Sequence, residues 1–207
     1  ANTLKSIYYH PGNNHLYIGT HLGGMYVFDC GTGKGHSLHH VEGDATSLPH
    51  EIVNDIQPYK DGLAVLTQGG PAFFNLQTEK FSPIVDDVKL QLNWEYSFET
   101  FFIDNKQRAW LAYSAGGLLC VDFVNKTAKR YSSSSSNPSA IGKFKIVKIF
   151  QSSRGEVYFC TIGSGLFKYI EADNSFKAYN SSNGSLPSDY CYYVCDASDD
   201  NHLYVLH

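Results

Sequence analysis

The chain lacks the features that mark nucleic-acid-binding and membrane-spanning proteins. No stretch of the sequence concentrates lysine or arginine, and the formal net charge is −4, so a nucleic-acid partner is not expected. No apolar run approaches the roughly 20 residues of a membrane span, so direct membrane insertion is not expected either. The chain opens at Ala1 without an initiating methionine or a signal peptide, which fits a mature product or an excised piece and leaves export open.

Cysteine is sparse and carries no Cys-x-x-Cys pair. The count is odd, which does not suit a complete disulfide framework, and the sequence instead predicts small buried hydrophobic residues. A bridge between Cys191 and Cys195 is not expected, because residues four apart on a strand are too distant. The five positions are Cys30, Cys120, Cys160, Cys191 and Cys195.

Motifs for nucleophilic or two-carboxylate catalysis are also missing. No nucleophile elbow is present, and no pair of carboxylates can be placed across a cleft. The glycine-rich segment 31–35 resembles part of a phosphate loop, but no helix follows it. The sequence predicts a hairpin turn there, and no cofactor.

Two segments could supply metal ligands but are explained better by strands and turns. His36 and His40 would share one face of a strand about 13 Å apart, so with His39 they form no compact ligand set. The acidic segment 196–201 begins like a calcium loop but lacks the glycine at position six and the glutamate at position twelve. No metal site is expected.

A repeated pair of glycines is the most informative feature that is present. Gly23-Gly24 returns as Gly69-Gly70, as Gly116-Gly117 and, altered, as Ser164-Gly165, at spacings of 46, 47 and 48 residues. A repeat of this length indicates an array of similar supersecondary units. Each pair follows a short apolar strand candidate, and a fifth candidate ends the chain; these segments are 16–20, 63–67, 109–113, 157–161 and 203–207.

Each unit divides into four short strands joined by turns. In the second copy the strands are predicted at 52–56, 63–67, 72–76 and 81–85, with hairpin turn chemistry between them. Four antiparallel strands in ~47 residues, repeated in tandem, are typical of a β-propeller blade. The glycine pair is expected to allow close backbone approach or positive φ at the crossing from second to third strand.

The predicted fold class is therefore all-β, a β-propeller fragment of about four four-stranded blades plus a partial fifth. A parallel β-helix is the main rival, but its coils are shorter and contain no hairpins. The blades are predicted at 5–51, 52–95, 96–143, 144–190 and, in part, 191–207.

The segment 12–29 resembles the two-component regulator propeller repeat. That repeat reads as a turn, Leu-Trp-Ile-Gly-Thr, two residues, Gly-Gly-Leu, and an aromatic residue before Asp. Trp110 stands where the family prefers tryptophan, while Tyr17, Tyr158 and Tyr204 replace it in other copies. The Ser-Leu-Pro sequence at 47–49 and 185–187 also fits the family's connection between blades.

The resemblance implies the periplasmic sensor ectodomain of a hybrid two-component system. In such proteins a membrane span, a histidine kinase and a response regulator follow the propellers, and the ectodomain senses oligosaccharides. The implied partners are an oligosaccharide or other small ligand and the remaining blades of a larger ectodomain. A second copy of the chain is a further expected partner, because an uncovered end blade would favour a homodimer. Catalysis is expected outside these residues.

Propeller ligands usually approach one end of the central funnel. Loops before each first strand and after each second strand share that end, which nominates five ligand-contact candidates. Trp94 could stack on a sugar, although a position wedged between blades is the competing interpretation. The five candidates are His21, His50, Gln68, Trp94 and Ser114.

Two other function classes stay open at this point. A propeller glycosidase or lyase would need acidic residues that converge on the funnel, and the repeated Asp-boxes and arginine cluster of such enzymes are missing. A protein-interaction scaffold like the kelch or WD-repeat propellers would lack glycan binding.

Overall fold

The computed structural model describes residues 3–84, 98–131, 141, 144–198 and 202–207. The chain forms two compact units, Ala1–Phe98 and Glu99–His207, and each is considered by itself.

The first unit contains two four-stranded antiparallel sheets. In each sheet the strands are neighbours in chain order, β1-β2-β3-β4 and β5-β6-β7-β8. The strands are β1 Leu4–His10, β2 His15–Thr20, β3 Met25–Asp29, β4 Lys34–Leu38, β5 Val53–Tyr59, β6 Gly62–Thr67, β7 Gly70–Phe74 and β8 Phe81–Pro83.

The second unit repeats the pattern and adds a two-stranded sheet. Two sheets again follow chain order, β9 to β12 and β13 to β16, and β17 pairs with β18. The strands are β9 Phe98–Ile103, β10 Arg108–Tyr113, β11 Leu118–Asp122, β12 Thr127–Tyr131, β13 Lys145–Gln151, β14 Val157–Ile162, β15 Leu166–Ile170, β16 Ser175–Tyr179, β17 Tyr193–Asp196 and β18 Leu203–Leu206.

These sheets confirm the predicted fold class of four four-stranded units and a partial fifth. The five predicted second strands match β2, β6, β10, β14 and β18 to within one residue at each end. The hairpin predicted at 31–35 is present, because these residues form part of the turn after β3 and the first two residues of β4. In the part of the chain that the structure describes, no helix is long and apolar enough to cross a membrane.

The second residue of each repeated pair, at or just before the start of the third strand, is a glycine with the left-handed backbone that the repeat predicts. Its φ is 67° at Gly24, 103° at Gly70, 98° at Gly117 and 83° at Gly165. A Cβ atom on Gly165 would lie 2.1 Å from the carbonyl oxygen of Tyr179, the last residue of β16. This position therefore needs glycine for both its φ and its close backbone approach.

A buried threonine near the end of the second strand also stabilises the connection between the second and third strands. Its hydroxyl donates to the carbonyl oxygen of the left-handed glycine, at 2.9 Å for Thr20, 2.8 Å for Thr67 and 2.7 Å for Thr161. Thr20 and Thr67 also accept the backbone N–H of Gly23 and Gly69. We call this arrangement the threonine–glycine lock.

Within each unit, apolar side chains fill the space between the sheets. In the first unit one core cluster joins Tyr17 and Met25 of the first sheet to Val65 and Phe74 of the second. Leu48, from the predicted Ser-Leu-Pro connection, is completely buried in that cluster. Stacking of this kind buries an apolar face of each sheet, which stabilises sheets that would be marginal alone.

Several large apolar side chains nevertheless remain exposed. They lie on β1 (Ile7 and Tyr9) and on the two-stranded sheet (Tyr193, Tyr204 and Leu206). Such patches favour association, and the homodimer stays a prediction.

The close approach at Gly165 leads to a stability prediction. Gly165→Ala should lower the free energy of unfolding by about 2–5 kcal/mol, because strain at positive φ and overlap with the Tyr179 carbonyl add together. Gly163→Ala is the matched control: its φ is 89°, but nothing lies within 4 Å of its Cβ position, so only about 1–2 kcal/mol of strain is expected. Urea unfolding measures both, and equal losses would contradict the close-approach account.

Candidate functional site

Three of the five predicted ligand-contact residues lie in loops of the first unit. His21 is exposed and follows β2, while His50 precedes β5 and Gln68 follows β6, both partly buried.

Backbone hydrogen bonds join these three loops at one end of the sheets. The N–H of Gly24, in the His21 loop, donates to the carbonyl of Glu51 at 3.0 Å. The N–H of Gln68 donates to the carbonyl of Ile52 at 3.1 Å. The two acceptors are the first and second residues after His50, so the structure brings the His50 loop against the other two.

The orientation of the His50 ring is set by its own backbone. Its Nδ1 accepts the N–H of Ile52 at 3.0 Å, so in the neutral ring the proton is on Nε2. A Cβ atom on Gly69 would lie 3.4 Å from Cβ of His50, which places the histidine beside the loop that carries Gln68. The pair offers an imidazole donor and an amide, groups that can hydrogen-bond sugar hydroxyls.

A cavity of about 230 Å³ lies next to this loop cluster. Pro49 and Gly69, the neighbours of His50 and Gln68, contribute to its lining together with Leu48, Pro71 and Phe81. It is smaller than the roughly 300–1,000 Å³ that encloses a drug-sized ligand.

The other two candidates are not brought into this cluster. Ser114 lies in the turn between β10 and β11 of the second unit and is partly buried. Trp94 lies outside the described residues, so neither interpretation of it is tested.

Sequence reasoning missed a charged network in the second unit, centred on the buried carboxylate of Asp104. This residue is 2% exposed and precedes β10. Its side chain accepts the indole N–H of Trp110 at 2.9 Å and Nε of Arg108 at 2.7 Å. It also accepts the backbone N–H groups of Lys106 and Arg108, both at 2.9 Å.

The network continues to the turn after β15. Arg108 Nη1 lies 3.1 Å from Glu171, which is also hydrogen-bonded by Lys106. Burial opposes the charge on Arg108, but the hydrogen bond and charge of Asp104, with the charge of Glu171, outweigh it and raise the pKa of the guanidinium. The hydrogen bond from Lys106 is the main reason that the pKa of Glu171 is lowered.

A cleft of about 310 Å³ opens beside this network, but its charges are already paired. Glu156, on its wall, is hydrogen-bonded by Lys168, Tyr158 and Arg154. Burial raises the pKa of Glu156, and these three partners together bring it below its usual value. Paired charges at this position connect the turns of successive sheets.

One residue in the sequence could have indicated the Asp104 network. It is Trp110, because a buried indole N–H needs a hydrogen-bond acceptor.

The histidines of segment 36–40 are also engaged by neighbouring groups. His36 Nε2 lies 2.8 Å from Glu79, and His39 Nδ1 lies 3.1 Å from Glu51. His40 Nδ1 meets the carbonyl oxygen of Leu48 at 2.9 Å. Among the described residues, no group of three His, Cys, Asp or Glu side chains is placed to hold a metal ion.

The buried carboxylate supports a second stability prediction. Asp104→Ala should lower the free energy of unfolding by about 3–5 kcal/mol, because it leaves Arg108 and the Trp110 indole without their buried acceptor. Glu171→Ala, at a side chain that is 51% exposed, should cost less than about 1 kcal/mol. Thermal and urea unfolding of both variants provide the measurement, and similar losses would show that Asp104 is not the centre of the network.

No protein-family model and no curated protein matches the sequence.

Solved structures do match it. The extracellular domain of the candidate hybrid two-component system BT3049 from B. thetaiotaomicron aligns with 98% of this chain at 17% identity and a TM-score of 0.60. PorZ, a surface component of the type-IX secretion system of Porphyromonas gingivalis, aligns with 98% of the chain at 14% identity and a TM-score of 0.69. The protein YCF48, solved with a D1 peptide, aligns with 99% of the chain at 8% identity and a TM-score of 0.62.

The chain spans 32% of the BT3049 domain, 30% of PorZ and 60% of YCF48. At these identities the likeness concerns the fold. The tandem four-stranded sheets and these neighbours together show that the chain has a β-propeller fold, which it shares with the extracellular domain of a candidate hybrid two-component system.

Proposed function

We propose that the chain is a ligand-sensing segment of the periplasmic part of a two-component sensor, and that its ligand is an oligosaccharide or another small polar molecule. The observation that carries this proposal is the alignment of 98% of the chain with the extracellular domain of BT3049. Under this proposal the histidine kinase and response regulator lie elsewhere in the protein. The segment contributes recognition and passes a rearrangement of its blades or of a dimer toward the membrane.

The His21, His50 and Gln68 loops are the proposed contact surface of the first unit. They offer hydrogen-bonding side chains beside a cavity lined by both polar and apolar residues, and sugars present hydroxyl groups around a less polar ring face. Ser114 is the corresponding candidate in the second unit.

The two carboxylates that line the cleft of the second unit, Glu156 and Glu171, favour recognition over glycoside hydrolysis. A glycosidase needs one carboxylic acid whose pKa is raised so that it can protonate the leaving group. Glu156 and Glu171 instead have lowered pKa values because lysine and arginine side chains bind them. In both residues the ionised form is held, which suits a structural role.

A glycan array tests the proposal directly. The array is probed with this chain and, separately, with the whole extracytoplasmic region that contains it. Selective retention of one oligosaccharide class without its cleavage is the expected result. Turnover of the glycan would indicate an enzyme, and the absence of any glycan binding by the whole region would indicate an interaction scaffold.

Single substitutions then locate the surface. His50→Ala and Gln68→Ala should each weaken binding of the retained glycan about tenfold, the effect of losing one hydrogen bond of about 1.4 kcal/mol. His36→Ala is the matched control, because this histidine is exposed and bound to Glu79 away from the loop cluster. Titration calorimetry measures the affinities. Unchanged affinity in both loop variants would show that these loops are not the contact surface.

A further inference from the structure

Two buried cysteines meet where β14 faces the segment that leads into β17. Cys160 lies on β14 and Cys191 lies two residues before β17, and neither is exposed at all. Both belong to one core cluster, and their side chains are hydrogen-bonded to each other. The two thiols are therefore in contact across the seam, the line along which the β13–β16 sheet meets the segment that leads into the β17–β18 sheet.

The backbone around the two cysteines is fixed on both sides. The N–H of Cys191 donates to the carbonyl of Thr161 at 2.9 Å. Ile162 and Tyr190 form an antiparallel bridge one residue further along. The positions of both Cα atoms are thus set by main-chain pairing, independently of the thiols.

The repeat supplies a second measure of how close these two positions are. The connection 47–49 returns at 185–187, an offset of 138 residues that places Cys191 at the position of Val53. The sequence Gly19-Thr20 likewise corresponds to Cys160-Thr161. The equivalent pair in the first unit is therefore Gly19 and Val53.

At that equivalent seam the two positions are close enough for a disulfide. A Cβ atom built on Gly19 would be 2.8 Å from Cγ1 of Val53. Because Cγ1 is one bond from Cβ, the two Cβ atoms would be at most about 4.3 Å apart, which is below the upper limit of roughly 4.5 Å for disulfides. The seam between β10 and β13 carries Ala112 and Ile146 at these positions, both fully buried in one cluster.

We propose that Cys160 and Cys191 form a disulfide that clamps the β17–β18 sheet to the sheet before it. The proposal rests on the proposed extracytoplasmic location, since disulfides persist in oxidising compartments such as the bacterial periplasm. It departs from the expectation that all five cysteines serve only as small buried hydrophobic residues.

The reaction is thiol–disulfide exchange with a low-molecular-weight or protein disulfide as the oxidant. The thiolate of one cysteine attacks one sulfur of the oxidant, and the thiolate that leaves takes up the proton that this cysteine released. The other cysteine then loses its proton and attacks the mixed disulfide, which releases the second thiol. Two cysteine thiols are oxidised to one disulfide while the oxidant disulfide is reduced to two thiols.

In the folded chain the contact between the thiols shifts their two pKa values in opposite directions. The hydrogen bond from Cys160 lowers the pKa of Cys191, and the same hydrogen bond together with burial raises the pKa of Cys160. The thiolate is the nucleophile in exchange. Because both are buried in the folded chain, the exchange takes place as the sheet docks.

Peptide mapping of the chain refolded in a glutathione buffer tests the pairing. Trypsin leaves Cys160 in the peptide 155–168 but leaves Cys191 and Cys195 together in the peptide 178–207, so a Cys195→Ser background is used. The expected result is a link between those two peptides and a fall from four free thiols to two. Four free thiols in the folded protein, or a link to Cys30 or Cys120 in place of this one, would overturn the proposal.

A packing-matched variant separates the bond from the burial. Cys160→Ala with Cys191→Ile copies the Ala112 and Ile146 pair, so the seam should stay filled. The Cys195→Ser protein should lose roughly 5–15 °C in melting temperature when it is reduced, the size expected for one disulfide. The melting temperature of the matched variant should not depend on the reductant. An equal loss of melting temperature in both proteins would contradict the proposed disulfide.

Mapping of the same protein recovered from the periplasm provides the result if refolding fails. The link between 155–168 and 178–207 is again expected, and reduced cysteines at both positions would overturn the proposal. Neither arm depends on a ligand. A failure of pairing therefore leaves the glycan-binding result intact, and a failure of glycan binding leaves the pairing result intact.

Discussion

The hydrogen bond from a buried threonine hydroxyl to the carbonyl of a left-handed glycine holds the crossing from second to third strand. Thr20, Thr67 and Thr161 make it in three sheets. At Gly24 and Gly165, which directly precede the third strand, a Cβ atom would lie only 2.2 and 2.1 Å from a backbone carbonyl oxygen, so these positions have no room for a side chain. In the third sheet Tyr113 replaces the threonine, and both Gly116 and Gly117 have positive φ. In that sheet, two consecutive glycines with positive φ therefore make the connection between the second and third strands, without the threonine hydroxyl.

Much of the fold was predictable because its determinants are local. Short runs of apolar residues, turn residues between them and a recurring glycine pair all act within one repeat, so a single sequence shows them directly. The positive φ of Gly24 and Gly165 follows from the same reasoning. Contacts between repeats are harder to predict from the sequence, because no periodic pattern indicates which side chains of neighbouring sheets will meet.

The Asp104 network illustrates that limit. Its members Lys106 and Glu171 are 65 residues apart, and nothing in the spacing of single charges distinguishes them from solvated ones. The thiol pair is a similar case, since Cys160 and Cys191 belong to different sheets. By contrast, chain connectivity alone predicted that the loops of His21, His50 and Gln68 share one end of the sheets. The cavity beside them could not be predicted, because it depends on how Pro49, Pro71 and Phe81 pack.

The meander order of the sheets also bears on how the chain reaches its native state. Every four-stranded sheet pairs strands only with their immediate neighbours in sequence. The entropy lost on closing such short connections is small, and local pairing of this kind is associated with fast folding. Each sheet can therefore form soon after its own residues become available, N-terminal sheets first. Within each unit, the sheet that forms first can then serve as the surface on which the next sheet docks, so that assembly proceeds by stepwise addition.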